Sequence, residues 1–195
     1  MTETATQTAS TRDFQGQTIP APGTFDLDPA HTRIGFSARH MMVSKVRGQF
    51  GEFTGSITIA GDPLASTAEA VIKTASIDTR SADRDKHLTD GDFLDVANHP
   101  EMTFRTTGLT RRSDGDYTVL GDLTIKGVTR PTELTLELEG VGNSPWGQQL
   151  LGFSLTGEID REDYGMTWNV GLETGGVLVS RTVKLEIEGE AVRRG

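Results

Sequence analysis

Two histidines of this 195-residue chain could do acid–base chemistry or bind a polar ligand. His40 ends an alternating run, and His87 lies in an acidic segment, TRSADRDKHLTDGDFLDVANHP. An imidazole beside a carboxylate can act as a general acid or base. The chain has no cysteine, which excludes thiol nucleophiles, thiolate metal sites and disulfides. It also lacks a nucleophile elbow, a histidine metal motif and a glycine-rich phosphate loop, so we predict no catalytic residue, cofactor or metal site.

Alternation of apolar and polar residues indicates that most of the chain forms β-strands. In DYTVLGDLTIKGVTRPTELTLELEG, residues 116–140, apolar side chains occupy every second position on both sides of a break at Gly127 to Pro131. A period of two puts one apolar and one polar face on each strand. The same pattern recurs along most of the chain, so the apolar faces must enclose a common interior.

One segment, residues 79–100, has no alternation and predicts two short helices. Ser81 is a candidate N-cap, and Gly91 is expected to end the first helix. The apolar Phe93 and Leu94 that follow are expected to cover the sheet or one end of a barrel.

Composition limits the domain organisation and the partners. Residues 1–23 are rich in Thr, Gln, Ala and Pro and predict a flexible arm, while residues 24–195 are expected to form one domain. The net charge of -9 argues against nucleic acid and anionic membrane surfaces as partners. The chain contains no apolar run of about 18 or more residues, so we predict no stable insertion into a membrane. The N-terminus lacks the pattern of a secretory signal, so we expect a cytoplasmic protein.

Four segments, in this order, resemble the YceI-like family. They are FDLDPAHTRIGFSARHMMVSKVRGQFGEFTGSI, DRDKHLTDGDFLDVANHPEMTF, GDLTIKGVTRPTEL and IDREDYGMTWN. The resemblance covers about Thr24 to Val192. Phe25 stands where Trp or Tyr is common in the family, and the export signal of periplasmic members is missing. The resemblance implies an all-β fold, a lipocalin-like antiparallel β-barrel of about eight strands with a short helical insert, that binds polyisoprenoids.

Barrels of about eight strands either fill with side chains or hold one small ligand. Periodicity alone favours a filled core, whereas the family resemblance favours a ligand-binding lumen. The side chains predicted to line that lumen are Ile34, Phe36, Ala38, His40, Met41, Met42, Phe50, Phe53, Ile57, Phe93, Leu94, Met102, Phe104, Leu123, Ile125, Leu134, Leu136, Phe153, Leu155, Met166, Trp168 and Leu185.

The predicted partner is a long-chain isoprenoid or similar amphiphilic lipid. Each buried CH₂ of its tail is worth about 0.8 kcal/mol before ordering costs. A few polar side chains must then select the head group. His40 is the first candidate for that role; the weaker candidates are Arg39, Lys45, Arg84, His87 and Arg161.

Two other functions stay open at this point. One is an enzyme that uses His40 or His87 with a nearby carboxylate. The other is a solid-cored interaction module that binds partners through its loops or a strand edge. A homodimer is compatible with an exposed strand edge. The favoured prediction is a carrier or sequestering protein for an amphiphile, without catalysis.

Overall fold

The computed structural model describes residues 10–173 and 176–195, most of which form antiparallel strands. The strands are β1 Thr11–Phe14, β2 Gln17–Pro20, β3 Gly23–Leu27, β4 Arg33–His40, β5 Ser44–Phe50, β6 Phe53–Ile59, β7 Thr67–Lys73, β8 Ile77–Asp78, β9 Glu101–Arg111, β10 Tyr117–Ile125, β11 Val128–Asn143, β12 Gln149–Asp160 and β13 Val179–Arg193. The helix α1 spans Ala82–Thr89, and short 3-10 helices span Pro63–Ala65, Thr74–Ser76 and Arg161–Tyr164. None of the helices within the described ranges is long and apolar enough to cross a membrane.

Eight strands close into an antiparallel barrel. Their order around the barrel is β12, β11, β10, β9, β7, β6, β3 and β13, and β13 pairs back to β12. The N-terminal half of β13 also pairs with β4, which carries β5 and β8 as an extension of the wall. The predicted fold class is confirmed. The barrel closes because each strand offers one apolar face to a common interior.

The turn between β10 and β11 is tighter than predicted. It consists of Lys126 and Gly127, whose φ angles of 50° and 73° suit a two-residue hairpin turn. Pro131 therefore lies inside β11, opposite Asp122. The other neighbour, β12, pairs with β11 only from Leu134 onward, so the missing N–H of the proline removes no bond of the β11–β12 ladder.

One end of the barrel, here called the insert end, is covered by α1 and residues 90–99. The predicted second helix is absent from this described segment, where turns hold the chain instead. The Leu94 amide donates to the Leu88 carbonyl and the Val96 amide to the Thr89 carbonyl, both at 3.0 Å. These bonds fold residues 91–97 back onto α1. They place Phe93 and Leu94, each 6% exposed, in the barrel core.

The opposite end, here called the hairpin end, is covered by the hairpin of β1 and β2. This hairpin pairs Thr11 with Pro20 and Phe14 with Gln17, within the segment predicted to be a flexible arm. Residues 11–20 of the predicted arm thus form two paired strands, and residues 1–9 of the arm lie outside the described residues. A lone two-stranded hairpin is marginal in water. Here the barrel end supplies the apolar surface that buries Ile19 and Pro20.

Candidate ligand-binding cavity

A cavity of about 330 Å³ occupies the interior of the barrel. It extends from Ile19 and Tyr117 at the hairpin end to Phe93 and Met166 at the insert end. Its wall is almost entirely apolar, and its volume falls within the range of small-molecule sites. The inward faces of the strands therefore leave a hollow between them.

Glycines on neighbouring strands keep large side chains flat against the wall. Phe36 pairs with Gly48 across β4 and β5, and a β-carbon added at Gly48 would lie 2.3 Å from the tip of the Phe36 ring. A β-carbon at Gly121 would lie equally close, 2.3 Å, to the Phe104 ring. Aromatic rings that cover cross-strand glycines fill the wall instead of the interior. This arrangement is one reason why the barrel is hollow.

Seventeen of the side chains predicted to line the lumen border the cavity. They come from both barrel walls and from the segment that follows α1. They are Ile34, Phe36, Ala38, Phe50, Ile57, Phe93, Leu94, Met102, Phe104, Leu123, Ile125, Leu134, Leu136, Phe153, Leu155, Met166 and Leu185.

Three predicted lining residues lie outside the cavity because the β4–β5 turn projects beyond the barrel wall. His40 is the last residue of β4 and pairs with Ser44 across that turn. Met41 and Met42 form the turn itself and are 45% and 57% exposed. The apolar row of β4 therefore leaves the barrel after Ala38.

Two further predicted lining residues are packed behind the wall. Phe53 is 7% exposed and belongs to the core cluster at the insert end, where it pairs with Ile72 on β7. Trp168 packs against Phe93, with ring centres 5.6 Å apart, and does not border the cavity. Phe53 is buried and Trp168 partly buried, and in both cases neighbouring side chains border the cavity instead.

Other lining residues were missed by the sequence analysis. Tyr117, Val119 and Ile187 continue apolar rows that the alternation had identified, so their pattern could have added them. Ile19 and Pro20 gave no such signal, since β1 and β2 are short and mostly polar.

Most of the predicted head-group candidates lie outside the cavity. Arg39 and Lys45 face each other across β4 and β5, and both are exposed. The Arg84 Nε donates to the Thr79 hydroxyl and its Nη2 to the Thr79 carbonyl, both at 2.7 Å. Their charges are therefore used on the surface or in fixing the start of α1.

The histidine–carboxylate pair that an enzyme would need also lies outside. His87 Nε2 is 3.1 Å from Asp92 Oδ2, and its ring packs edge-on against Trp168 with centres 4.6 Å apart. Neither His87 nor His40 borders the cavity. The pair holds α1 to the segment that follows it.

Arg161 is the head-group candidate that does border the cavity. It starts the 3-10 helix after β12 and is only 2% exposed. Its Nε donates to the Ser180 carbonyl at 3.0 Å, and its Nη1 donates to the Met166 carbonyl. The charged centre of the guanidinium lies 6.0 Å from the centre of the Phe93 ring. Burial lowers the pKa of Arg161 from its usual high value.

The third nitrogen of that guanidinium, Nη2, is buried and has no hydrogen-bond partner among residues 10–173 and 176–195. The neighbouring carboxylates of Asp160 and Glu162 pair with Arg181 instead, at 2.7 and 3.1 Å. Glu69 also borders the cavity, but its side chain is 62% exposed and faces Arg105. The insert end thus holds a buried cation, Arg161, whose Nη2 N–H groups have no acceptor among the described residues.

Comparison with known proteins identifies the family. The model of the YceI-like domain matches residues 25–191. The chain belongs to the YceI-like family. A UPF0312 protein of Staphylococcus epidermidis is 41% identical over 170 residues, which cover 85% of this chain and 95% of that protein.

Solved structures agree with this YceI-like fold. A Campylobacter jejuni YCEI protein is 32% identical and superposes with a TM-score of 0.69, covering 87% of this chain and 97% of that one. A polyisoprenoid-binding domain from Saccharophagus degradans is 17% identical, with a TM-score of 0.60 over 89% of this chain and all of its own. The family resemblance that the four sequence segments indicated is confirmed.

Proposed function

We propose that this YceI-like protein binds a long-chain amphiphilic lipid, with an isoprenoid as the first candidate, and holds its tail inside the barrel. The observation that carries the proposal is the apolar cavity between Ile19 and Phe93. Transfer of a tail from water into such a wall is worth about 0.8 kcal/mol per CH₂ before ordering costs. A binding protein needs no further chemistry, and its role would be transport, storage or sequestration.

The cavity volume also suggests a tail length. An apolar cavity of about 150 Å³ accommodates the six carbons of benzene. By that measure the cavity of about 330 Å³ has room for roughly a dozen carbons, or between two and three isoprene units. We expect longer tails to gain little affinity per added unit unless one end of the barrel opens.

The domain from Saccharophagus degradans is described as polyisoprenoid-binding. At 17% identity that likeness supports the fold alone. The tail chemistry therefore rests on the apolar wall, whose ring and branched side chains suit a methyl-branched chain.

Lipid uptake can be tested in two steps. Native mass spectrometry of protein purified from its own host, followed by lipid extraction, is expected to reveal a bound long-chain lipid. The delipidated protein is then titrated with prenyl alcohols of two, three and four units. Affinity should rise steeply to three units and then level off. The same spectra test the predicted homodimer through its doubled mass.

A matched pair of variants controls the titration. Leu155→Lys puts a charge into the cavity and should weaken uptake by at least about tenfold. Thr156→Lys puts the same charge on the adjacent, exposed position of β12 and should leave uptake unchanged. Circular dichroism and thermal melts show whether both are folded. A parent protein that takes up no prenyl alcohol, or a folded Leu155→Lys that binds normally, would rule out the proposed site.

A further inference from the structure

Arg161 has hydrogen-bonding capacity inside the barrel wall that its described neighbours do not use. A guanidinium has five N–H donors, and Nη2 carries two of them. That atom is buried without a partner among the described residues, in a side chain that is 2% exposed and borders the cavity. Buried donors left without a partner are expensive and therefore rare.

The charge of Arg161 is only partly balanced by its surroundings. No carboxylate within residues 10–173 and 176–195 forms an ion pair with it, because Asp160 and Glu162 are engaged by Arg181. The Phe93 ring, 6.0 Å away, offers a weak cation–π contact. An oxygen acceptor supplied from the cavity would stabilise a buried cation in this state.

We infer that Arg161 forms the head-group subsite of the cavity, and that it binds a carbonyl or carboxylate oxygen bearing at most one negative charge. This inference rests on the proposed function, since it concerns the polar end of the same ligand. One carboxylate would balance the single buried cation, and a ketone, quinone or amide oxygen would accept its free N–H groups.

A phosphate head group fits this subsite poorly. A phosphate monoester carries a charge between about -1.5 and -2 near neutral pH and has three acceptor oxygens. One guanidinium with one free nitrogen leaves part of that charge unpaired in an apolar wall. Polyprenyl phosphates are therefore expected to bind more weakly than carbonyl or carboxyl lipids with the same tail.

The position of Arg161 also fixes the direction of the ligand. Arg161 lies at the insert end, beside Met166 and Phe93, whereas Ile19 and Tyr117 border the opposite end of the cavity. The polar head would thus lie beneath the segment that follows α1, inside the barrel. The tail would run toward the hairpin end.

Head-group choice is tested on the delipidated full chain with four probes of one tail length: dodecanoate, dodecan-2-one, dodecyl phosphate and dodecane. Dodecanoate and dodecan-2-one should each bind at least about tenfold tighter than dodecane, because only they accept hydrogen bonds from the free N–H groups. They should also bind at least about tenfold tighter than dodecyl phosphate, because part of the phosphate charge stays unpaired. Equal binding of all four probes would overturn the head-group inference and leave the proposed function intact. Binding of none of them, dodecane included, would overturn both.

The direction of the ligand is tested without changing Arg161, whose replacement removes two bonds to the backbone. Trp168 packs on Phe93, with ring centres 5.6 Å apart, so it reports on the insert end. Trp146 is 85% exposed, and Trp146→Phe removes its fluorescence from the background. In this variant 2-bromododecanoate should quench Trp168 more strongly than 12-bromododecanoate. Equal quenching, or the reverse order, would contradict a head group at Arg161.

A variant then links the two tests. Arg161→Lys keeps the positive charge but loses the planar donors, so it should reduce the preference for dodecanoate over dodecyl phosphate by about tenfold. Dodecane binding to the folded variant separates a change in the cavity itself from a change in head-group preference. If it fails to fold, the bromine quenching order in the Trp146→Phe protein still decides the inference.

Discussion

The side-chain oxygen of Gln17 accepts a hydrogen bond of 2.9 Å from the hydroxyl of Tyr117, 100 positions later in the chain. Arg111 donates to the same Gln17 oxygen at 3.0 Å and to the Tyr117 hydroxyl at 2.8 Å. These three side chains fasten the β1–β2 hairpin to β9 and β10. At the hairpin end, these three hydrogen-bonded side chains thus hold the hairpin in place, and the buried Ile19 and Pro20 cover the barrel interior.

Removing the hydrogen bonds of Gln17 is expected to weaken the attachment of the β1–β2 hairpin to the barrel. Gln17→Ala should lower the free energy of unfolding by about 1–2 kcal/mol, since it leaves the buried Tyr117 hydroxyl and the half-buried Arg111 short of an acceptor. It should also speed lipid release, measured by stopped-flow transfer to acceptor vesicles. Thr18→Ala, at the adjacent exposed position, is the control and should change neither quantity. Unchanged release from a folded variant lacking residues 1–20 would show that lipids leave by another route.

The glycine beneath Phe36 is expected to control cavity size. Gly48→Ala puts a β-carbon 2.3 Å from the ring and 2.8 Å from a methyl of Thr79, so the ring must swing into the cavity. We expect affinity for a three-unit prenyl alcohol to fall by about tenfold, while that for a two-unit alcohol changes less.

Gly108→Ala is the matched control for this change. Its β-carbon would meet the Leu120 side chain at an ordinary 3.6 Å. Thermal melts of both variants separate loss of stability from loss of volume. If Gly48→Ala binds both prenyl alcohols as the parent does, the Phe36 ring does not set the usable space.

Protonation of His31 is expected to stabilise the fold slightly at low pH. Its ring Nδ1 lies 2.6 Å from Asp28 Oδ2, and this hydrogen bond raises the His31 pKa above 6.5. The stabilisation is fully present below the unfolded pKa and is lost as the pH rises through the folded pKa. NMR titration of the imidazole should give a pKa above 6.5 in the parent and a lower one in Asp28→Asn. Equal pKa values of His31 in the two proteins would contradict the pair.

The sequence by itself determined the strands, the barrel class and much of the inward face. Alternation needs only the local backbone period, so β10, β11 and the rows through Phe36 and Leu155 could be identified without coordinates. The four motif segments added the family. A periodic row also predicts which side chains share a face, and that is why most of the predicted lining borders the cavity.

Only the tertiary structure decided whether the interior is hollow, what closes its ends and which of the head-group candidates borders it. The hollow interior depends on cross-strand partners such as Gly48 beneath Phe36. The strand register sets these partners, and it cannot be deduced from the sequence of either strand alone. The β1–β2 hairpin is stabilised by residues about 100 positions away, so its own composition resembles a tail. The sequence pattern favoured His40 over Arg161 as the head-group residue. Alternation cannot show that β4 leaves the barrel before His40. It also cannot show that one guanidinium nitrogen of Arg161 has no partner among the described residues.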